Sequence, residues 1–161
     1  MLQRPTRRIK IFVDTNVLVA GIASASGASA AVLDLCEAEV IQMVISRQVL
    51  IEGDRTFSAK LSGLVSGFRQ FMRNLNPLMV EDPSKMMMDR ARTMIDPKDA
   101  SILAAALEAQ VDFLLTLDKR HFLSQSTRSK IPIKVITPSE FLRIFERSCL
   151  EDESCRINPR G

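Results

Sequence analysis

Four carboxylates stand out by the company they keep. Asp14 ends an apolar run in IKIFVDTNVLVAG, Glu52 lies in SRQVLIEGD, Asp99 in IDPKDASILAAALEAQ and Asp118 in FLLTLDKRHF. An aspartate set between two apolar runs is costly to bury unless a hydrogen bond or a cation satisfies it. Four such groups brought together repel one another and raise each other's pKa values unless a cation neutralises them. Hard oxygen donors without Cys or His select Mg²⁺ or Mn²⁺ over zinc. Those ions lower the pKa of a bound water, orient it for in-line attack and stabilise the leaving oxygen, so the expected chemistry is phosphodiester hydrolysis.

Taken singly, each acid has a plainer role. Asp14 fits a strand-end turn, Asp99 a helix-dipole or capping position, Asp118 a turn beside Lys119, and Glu52 an ordinary surface site. Only their joint placement argues for a metal, and that placement depends on the elements that carry them.

Short β-rich apolar runs at 9–13, 40–45, 77–80, 112–117 and 133–136 alternate with helical periodicity at 28–39, 46–60, 64–74, 84–94, 97–110 and 139–147. This pattern predicts an α/β fold, a mainly parallel sheet of about five strands flanked by helices. In such a sheet the C-terminal ends of strands and the N-termini of the following helices share one edge, where ligands bind. Asp14 ends the first strand and Asp118 follows the fourth. Asp99 opens the helix leading into that fourth strand, and Glu52 lies less than two turns into the helix that starts at Ser46. Asp99 is also in register with Leu103 and Ala106, so its carboxylate is expected to face the strand ends. Asp96 fits an N-cap with Pro97 at the first helical position, and Thr137 or Ser139 caps the last helix. The tail 148–161 is charged and aperiodic and is expected to fray, leaving one domain over 1–147.

With 161 residues and 46% hydrophobic content the chain suits a single core. Its net charge of +3 arises from 22 basic against 19 acidic residues, so polyanion binding would need local clustering. Cys36, Cys149 and Cys155 form no CxxC pair, which points to a reducing cytoplasmic setting. The uncharged window from Thr15 to Leu33 has about the length of a bilayer span, but Asn16, glycines and serines dilute it and no membrane helix is expected. Asp14 and Asn16 likewise argue against a secretory signal. Basic residues near the acidic edge, Lys119, Arg120, Arg128 and Lys130, are candidates for phosphate contact. Arg69 and Arg73 share a helical face farther off. His121, the only histidine, stands near Asp118 as a lesser candidate for a general acid.

At this point the residues carry a resemblance. VDTNVLVAG, Ser46 followed by Glu52 in SRQVLIE, DPKDASILAAALEAQVDFLLTLDKRHF, and a closing strand with TPSEFL together resemble the PIN-domain family, in particular bacterial PIN proteins that are toxin components of toxin–antitoxin pairs. The similarity spans about residues 9–145. It implies an α/β/α sandwich and Mg²⁺- or Mn²⁺-dependent cleavage of single-stranded RNA. By position it implies that Asp14, Glu52, Asp99 and Asp118 are the family's four acids, with Asp54 a rival to Glu52 and Asp96 a rival to Asp99. Thr116 matches the hydroxyl residue near the metal, and Asn16 the polar residue after the first acid, counted here among the substrate-binding set. An antitoxin protein and a homodimer are the partners it implies.

A haloacid-dehalogenase-type phosphotransferase also begins with a strand-end Asp, but it needs a second Asp two positions on, where this chain has Asn16. No GxxxxGK[ST] loop and no well-placed GxGxxG occurs. The rival that remains is a PIN-like module that binds RNA or protein without cutting, although clustered acids facing a polyanion would then bring no advantage.

Overall fold

The computed structural model describes residues 7–156, with side chains through residue 151. Five strands, β1 (Lys10–Val13), β2 (Gln42–Ser46), β3 (Leu78–Val80), β4 (Phe113–Leu115) and β5 (Lys134–Ile136), form one all-parallel sheet in the order β3-β2-β1-β4-β5. A parallel sheet covered on both faces requires strands that are apolar throughout rather than alternating. Ile11, Phe12, Val13, Val44, Ile45, Leu114 and Leu115 meet that requirement, each fully buried.

Among the described residues eight α-helices cover the sheet: α1 (Thr15–Ala23), α2 (Ala28–Glu37), α3 (Arg47–Lys60), α4 (Val65–Leu75), α5 (Lys85–Arg92), α6 (Ala100–Glu108), α7 (Gln125–Arg128) and α8 (Pro138–Arg156). Helix α1 packs against both α2 and α3, α3 against α4 and α8 against α2, while α5 pairs with α6, giving the three-layer α/β/α arrangement expected. In α6, ASILAAALE is buried on almost every side, as suits a helix enclosed by its neighbours. A stacked pair, Phe57 on α3 and Phe68 on α4 with centroids 4.7 Å apart, closes the opposite corner.

The structure departs from the sequence reading at four places that matter. Thr15–Ala23, left without an element, is helical: TNVLVAGIA has weak helix propensity, but Asp14 caps it and Val17 and Leu18 are fully buried. The helix expected from residue 97 begins only at Ala100. Residues 97–99 instead form a tight turn, in which Asp99 N–H donates to Asp96 O at 2.9 Å and Ala100 N–H to Pro97 O at 3.3 Å. Asp96 does act as a cap, accepting from Lys98 N–H at 3.1 Å, but for that turn; Asp99 takes the N-cap position of α6. Finally, α8 continues to Arg156, past the residue 147 at which the last helix was expected to end. Its start is a capping box. Thr137 Oγ1 accepts from Glu140 N–H at 3.1 Å and Glu140 Oε2 accepts from Thr137 N–H at 3.0 Å, with Pro138 at the first helical position.

The apolar window after Asp14 becomes two helices, α1 and α2, bent by 93° at Ser24–Gly27, where Gly27 adopts a φ of 106°. Among the described residues no single helix is long and apolar enough to cross a membrane. The bend is held tight at Gly21: a Cβ there would stand 2.5 Å from Leu33 Cδ1 and 3.0 Å from Ser29 O. Leu33 is buried and the carbonyl is backbone, so neither yields cheaply. Gly21→Ala is therefore expected to cost about 1–3 kcal/mol of stability. Gly67→Ala, on α4 with nothing near the added methyl, is expected to gain up to about 1 kcal/mol from helix propensity. Urea denaturation of both variants checks this, and equal stabilities would contradict the close α1–α2 approach.

Candidate functional site

In a parallel sheet ordered 3-2-1-4-5 the order in which strands are added reverses between β1 and β4, and the loops leaving their C-terminal ends diverge to open a crevice. Asp14 and Asp118 leave the sheet on either side of that reversal. Asp14 is only 8% exposed. Its Oδ1 accepts from Thr15 N–H at 2.7 Å, and its Oδ2 accepts from Thr116 Oγ1 at 2.8 Å and Asn16 Nδ2 at 3.3 Å. Thr116, fully buried, accepts in turn from Asp118 N–H at 3.1 Å, and Asn16 Oδ1 accepts from Leu117 N–H at 3.0 Å. The two strand ends are thus tied through side chains where the backbone ladder stops.

Glu52 reaches this network from α3. Its Oε2 accepts from Thr15 Oγ1 at 2.9 Å and its Oε1 from Gln48 Nε2 at 2.8 Å; Gln48 Oε1 then accepts from Ser101 on α6. Asp54 does not join it. A two-point ion pair with Arg69, at 2.6 and 3.0 Å, holds Asp54 on another face and lowers its carboxyl pKa. Asp96 is occupied in its turn.

On the β4 side, Asp118 Oδ1 accepts the N–H groups of Arg120 and His121, both at 3.0 Å, which folds residues 118–121 into a tight loop. His121 Nδ1 comes to 3.0 Å from Asp118 Oδ2 and 3.6 Å from Asp99 Oδ2. The donor atoms of Asp99, Asp118 and His121 all lie within 4.8 Å of one another, and this is the one such group among the described residues. Asp99 makes no capping bond with its own helix, and its buried Oδ2 has no hydrogen-bond donor.

The electrostatics follow from these contacts. Burial pushes the Asp14 carboxyl up to about 6; bonds from Thr116 and Thr15 oppose the rise, while the negative charges of Glu52 and Asp99 add to it. Burial also raises Asp99, against the pull of His121. For Asp118 burial acts in the same direction, but the His121 and Arg120 hydrogen bonds outweigh it and hold the carboxyl below its ordinary value.

Other expected residues have different surroundings. Lys119 and Arg120 are exposed beside the acids. Asn16, counted with substrate contacts, has both ends of its amide engaged inside the framework. Arg128 donates to Glu140 Oε2 at 3.2 Å and so belongs to the α8 cap; Lys130 is exposed. A cleft of about 430 Å³ next to Glu52 is lined by Arg47, Gln48, Ile51, Arg55 and Asp82, which adds two arginines to the acidic edge. A cavity of about 630 Å³ lies away from the acids between α3 and α4, and Arg69 and Arg73 line it. Sequence reasoning passed over Thr15, Gln48 and Ser101 and undervalued His121. Gln48 had a usable signal, lying one turn before Glu52 on the same helix; His121 had one in the Asp-x-x-His spacing.

A doubly wound parallel sheet with buried and half-buried acids at its switch point defines the class. The chain belongs to the PIN-domain family, whose PIN domain model matches residues 10–120. Three solved structures share the fold. PAE2754 from Pyrobaculum aerophilum is 15% identical with a TM-score of 0.56, over 86% of this chain and 90% of that one. FitAcB from Neisseria gonorrhoeae is 17% identical at 0.56, over 80% and 97%. VapBC2 from Rickettsia felis, bound to a DNA fragment from its promoter, is 19% identical at 0.60, over 80% and 97%. No curated protein matches the chain at a significant level.

The family implies a divalent cation, and the residues present suit one. A buried carboxylate oxygen without a donor, a second carboxylate and an imidazole within 4.8 Å, and a neighbouring buried aspartate with a raised pKa form a donor set for a small hard or borderline ion.

The raised pKa of Asp14 has a measurable sign. A carboxyl whose folded pKa is about 6 favours folding while protonated, and that contribution is lost as pH rises from the ordinary value of 3.8 through about 6. In metal-free protein, Asp14→Asn should therefore gain stability relative to wild type as pH increases from about 4.5 to about 7.5, by roughly 2 kcal/mol. Denaturation of both proteins in chelator across that range checks it; a constant difference would mean that Asp14 titrates normally.

Proposed function

We propose that this protein is a metal-dependent endoribonuclease that hydrolyses phosphodiester bonds of single-stranded RNA, acting in the cytoplasm as the toxin of a toxin–antitoxin pair. The observation that carries the proposal is the convergence of Asp99, Asp118 and His121 around a buried carboxylate oxygen without a donor, beside Asp14, in a chain of the PIN-domain family.

In this reading Asp14, Glu52, Asp99 and Asp118 hold Mg²⁺ or Mn²⁺. Such an ion supplies acidification of a water and neutralisation of charge on the leaving oxygen. The rest is done by the chain. Thr116 and Asn16 fix the Asp14 carboxylate by hydrogen bonds, so that it does not reorganise when charge develops. Glu52, fixed by Thr15 and Gln48, orients the attacking water. Lys119 and Arg120, with Arg47 and Arg55 across the cleft, bind the phosphates on either side of the scissile bond. These cations offset the repulsion between a polyanion and the acidic edge, which is the condition for RNA to approach at all.

The partners in this reading are an antitoxin protein and a second copy of the chain. FitAcB and VapBC2 are named as two-component assemblies, which supports the first. The α3–α4 groove, lined by Leu50, Ile51, Phe68 and Met72 and rimmed by Arg55, Arg69 and Arg73, suits an amphipathic partner helix with acidic flanks.

Untagged protein incubated with end-labelled single-stranded RNA should cleave it in Mn²⁺ or Mg²⁺ and not in chelator, and Asp14→Asn should reduce the rate by at least about 100-fold. RNA that binds but stays intact in Mn²⁺ would favour the non-catalytic module. A folded Asp14→Asn variant that cuts at the wild-type rate would remove Asp14 from the mechanism. Independently of cleavage, Mn²⁺ at about 100 times its dissociation constant should stabilise the fold by about 2.7 kcal/mol, read as a rise in melting temperature.

A further inference from the structure

The reading of residue types expected an all-oxygen metal site, but the geometry points to a mixed one. We infer that His121 is a ligand to the divalent cation through Nδ1, and that this nitrogen biases the site toward Mn²⁺ over Mg²⁺. The inference rests on the metal centre of the proposed function and adds a ligand and a selectivity to it.

The distances carry the argument. Donors on adjacent positions around an ion at about 2.1–2.2 Å stand about 3 Å apart, and somewhat more when the angle opens. His121 Nδ1 is 3.0 Å from Asp118 Oδ2 and 3.6 Å from Asp99 Oδ2. The second separation is too long for a hydrogen bond, and Asp99 Oδ2 is the buried oxygen left without a donor. A hydrogen bond to Asp118 alone would account for the first distance but not for the placement of Asp99; an ion between the three atoms accounts for both.

The ring is also held in place. The loop 118–121 is fixed by the Arg120 and His121 N–H groups on Asp118 Oδ1, and Phe122, fully buried, anchors the chain immediately after it. The backbone thus brings His121 beside Asp99 and Asp118, and the 3.0 Å contact of Nδ1 with Asp118 Oδ2 holds the ring there. To bind through Nδ1 the imidazole carries its proton on Nε2. Imidazole suits transition ions, whereas Mg²⁺ prefers oxygen donors and retains its waters, so the nitrogen favours Mn²⁺.

His121 is the single histidine of the chain, which makes the test specific. In untagged protein loaded with Mn²⁺, pulsed electron paramagnetic resonance should detect ¹⁴N modulation from a coordinated imidazole, replaced by the ¹⁵N pattern when histidine alone is isotopically labelled. This needs no substitution and so does not depend on a variant folding. His121→Gln should lose the signal and weaken Mn²⁺ binding by about 10-fold or more, while Mg²⁺ binding changes little. Bound Mn²⁺ without histidine nitrogen coupling would overturn the inference and leave the nuclease reading standing. Failure of the wild-type protein to bind Mn²⁺ at all would overturn both.

Discussion

The structure turns on a carboxylate that its own protein satisfies but does not neutralise. Asp14 immediately follows the central strand, 8% exposed, and receives three hydrogen bonds: one from the helix it caps, one from Asn16 in that helix, and one from Thr116 just past the end of β4. Bonds to a charged group are each worth about 1.5–3 kcal/mol, yet burial still keeps the carboxyl well above its ordinary pKa. Much else follows from housing this group. Capping it starts α1 in a segment with weak helix propensity of its own. Thr116 and Asn16 join β1 to β4 just beyond the last strand hydrogen bonds, and Thr15 passes the connection on to Glu52.

The acids are not equivalent once they are in place. Asp14 and Glu52 are each held by several donors on rigid elements, and their oxygens have little freedom to turn. Asp118 is stabilised as an anion by a loop that it organises itself, whereas Asp99 next to it is raised and has a bare oxygen. Neighbouring carboxyls pushed in opposite directions give the site one firmly ionised carboxylate and one whose charge depends on what arrives.

The sheet was legible because parallel strands buried on both faces are apolar through their centres, as β1, β2 and β4 are, while the edge strands β3 and β5 are partly exposed, with Leu78, Met79 and Lys134 at the surface. Asp14 was legible for the same reason, since a carboxylate closing such a run has few places to go, whereas Glu52 and Asp99 belong to helices and were read from their nearness to the same edge. What escaped was what tertiary contact decides. TNVLVAGIA reads as no element at all until Asp14 caps it and the core covers Val17 and Leu18. Pro97 reads as the first helical residue, but a tight turn takes 97–99 and shifts the cap to Asp99. His121 looked minor because a histidine three residues after an aspartate is unremarkable in sequence; the loop fold that points its ring at Asp99 is set by backbone bonds. Arg128 reads as a candidate for phosphate contact, and the capping glutamate of α8 claims it. The choice between Glu52 and Asp54 likewise required seeing where Arg69 lies.

The bond between Thr116 and Asp14 spans 102 residues of chain. During synthesis Asp14 emerges early and is followed by β2, β3 and the helices between them, whereas Asp99, Asp118 and His121 emerge only with α6 and β4. Until β4 inserts beside β1, the strand end has neither its Thr116 donor nor the acids opposite. A growing chain thus carries the first half of the cluster for most of its translation without a place to hold a cation. On the proposed function, the capacity to bind one is acquired only once β4 is in place, and is lost with any product that stops before it.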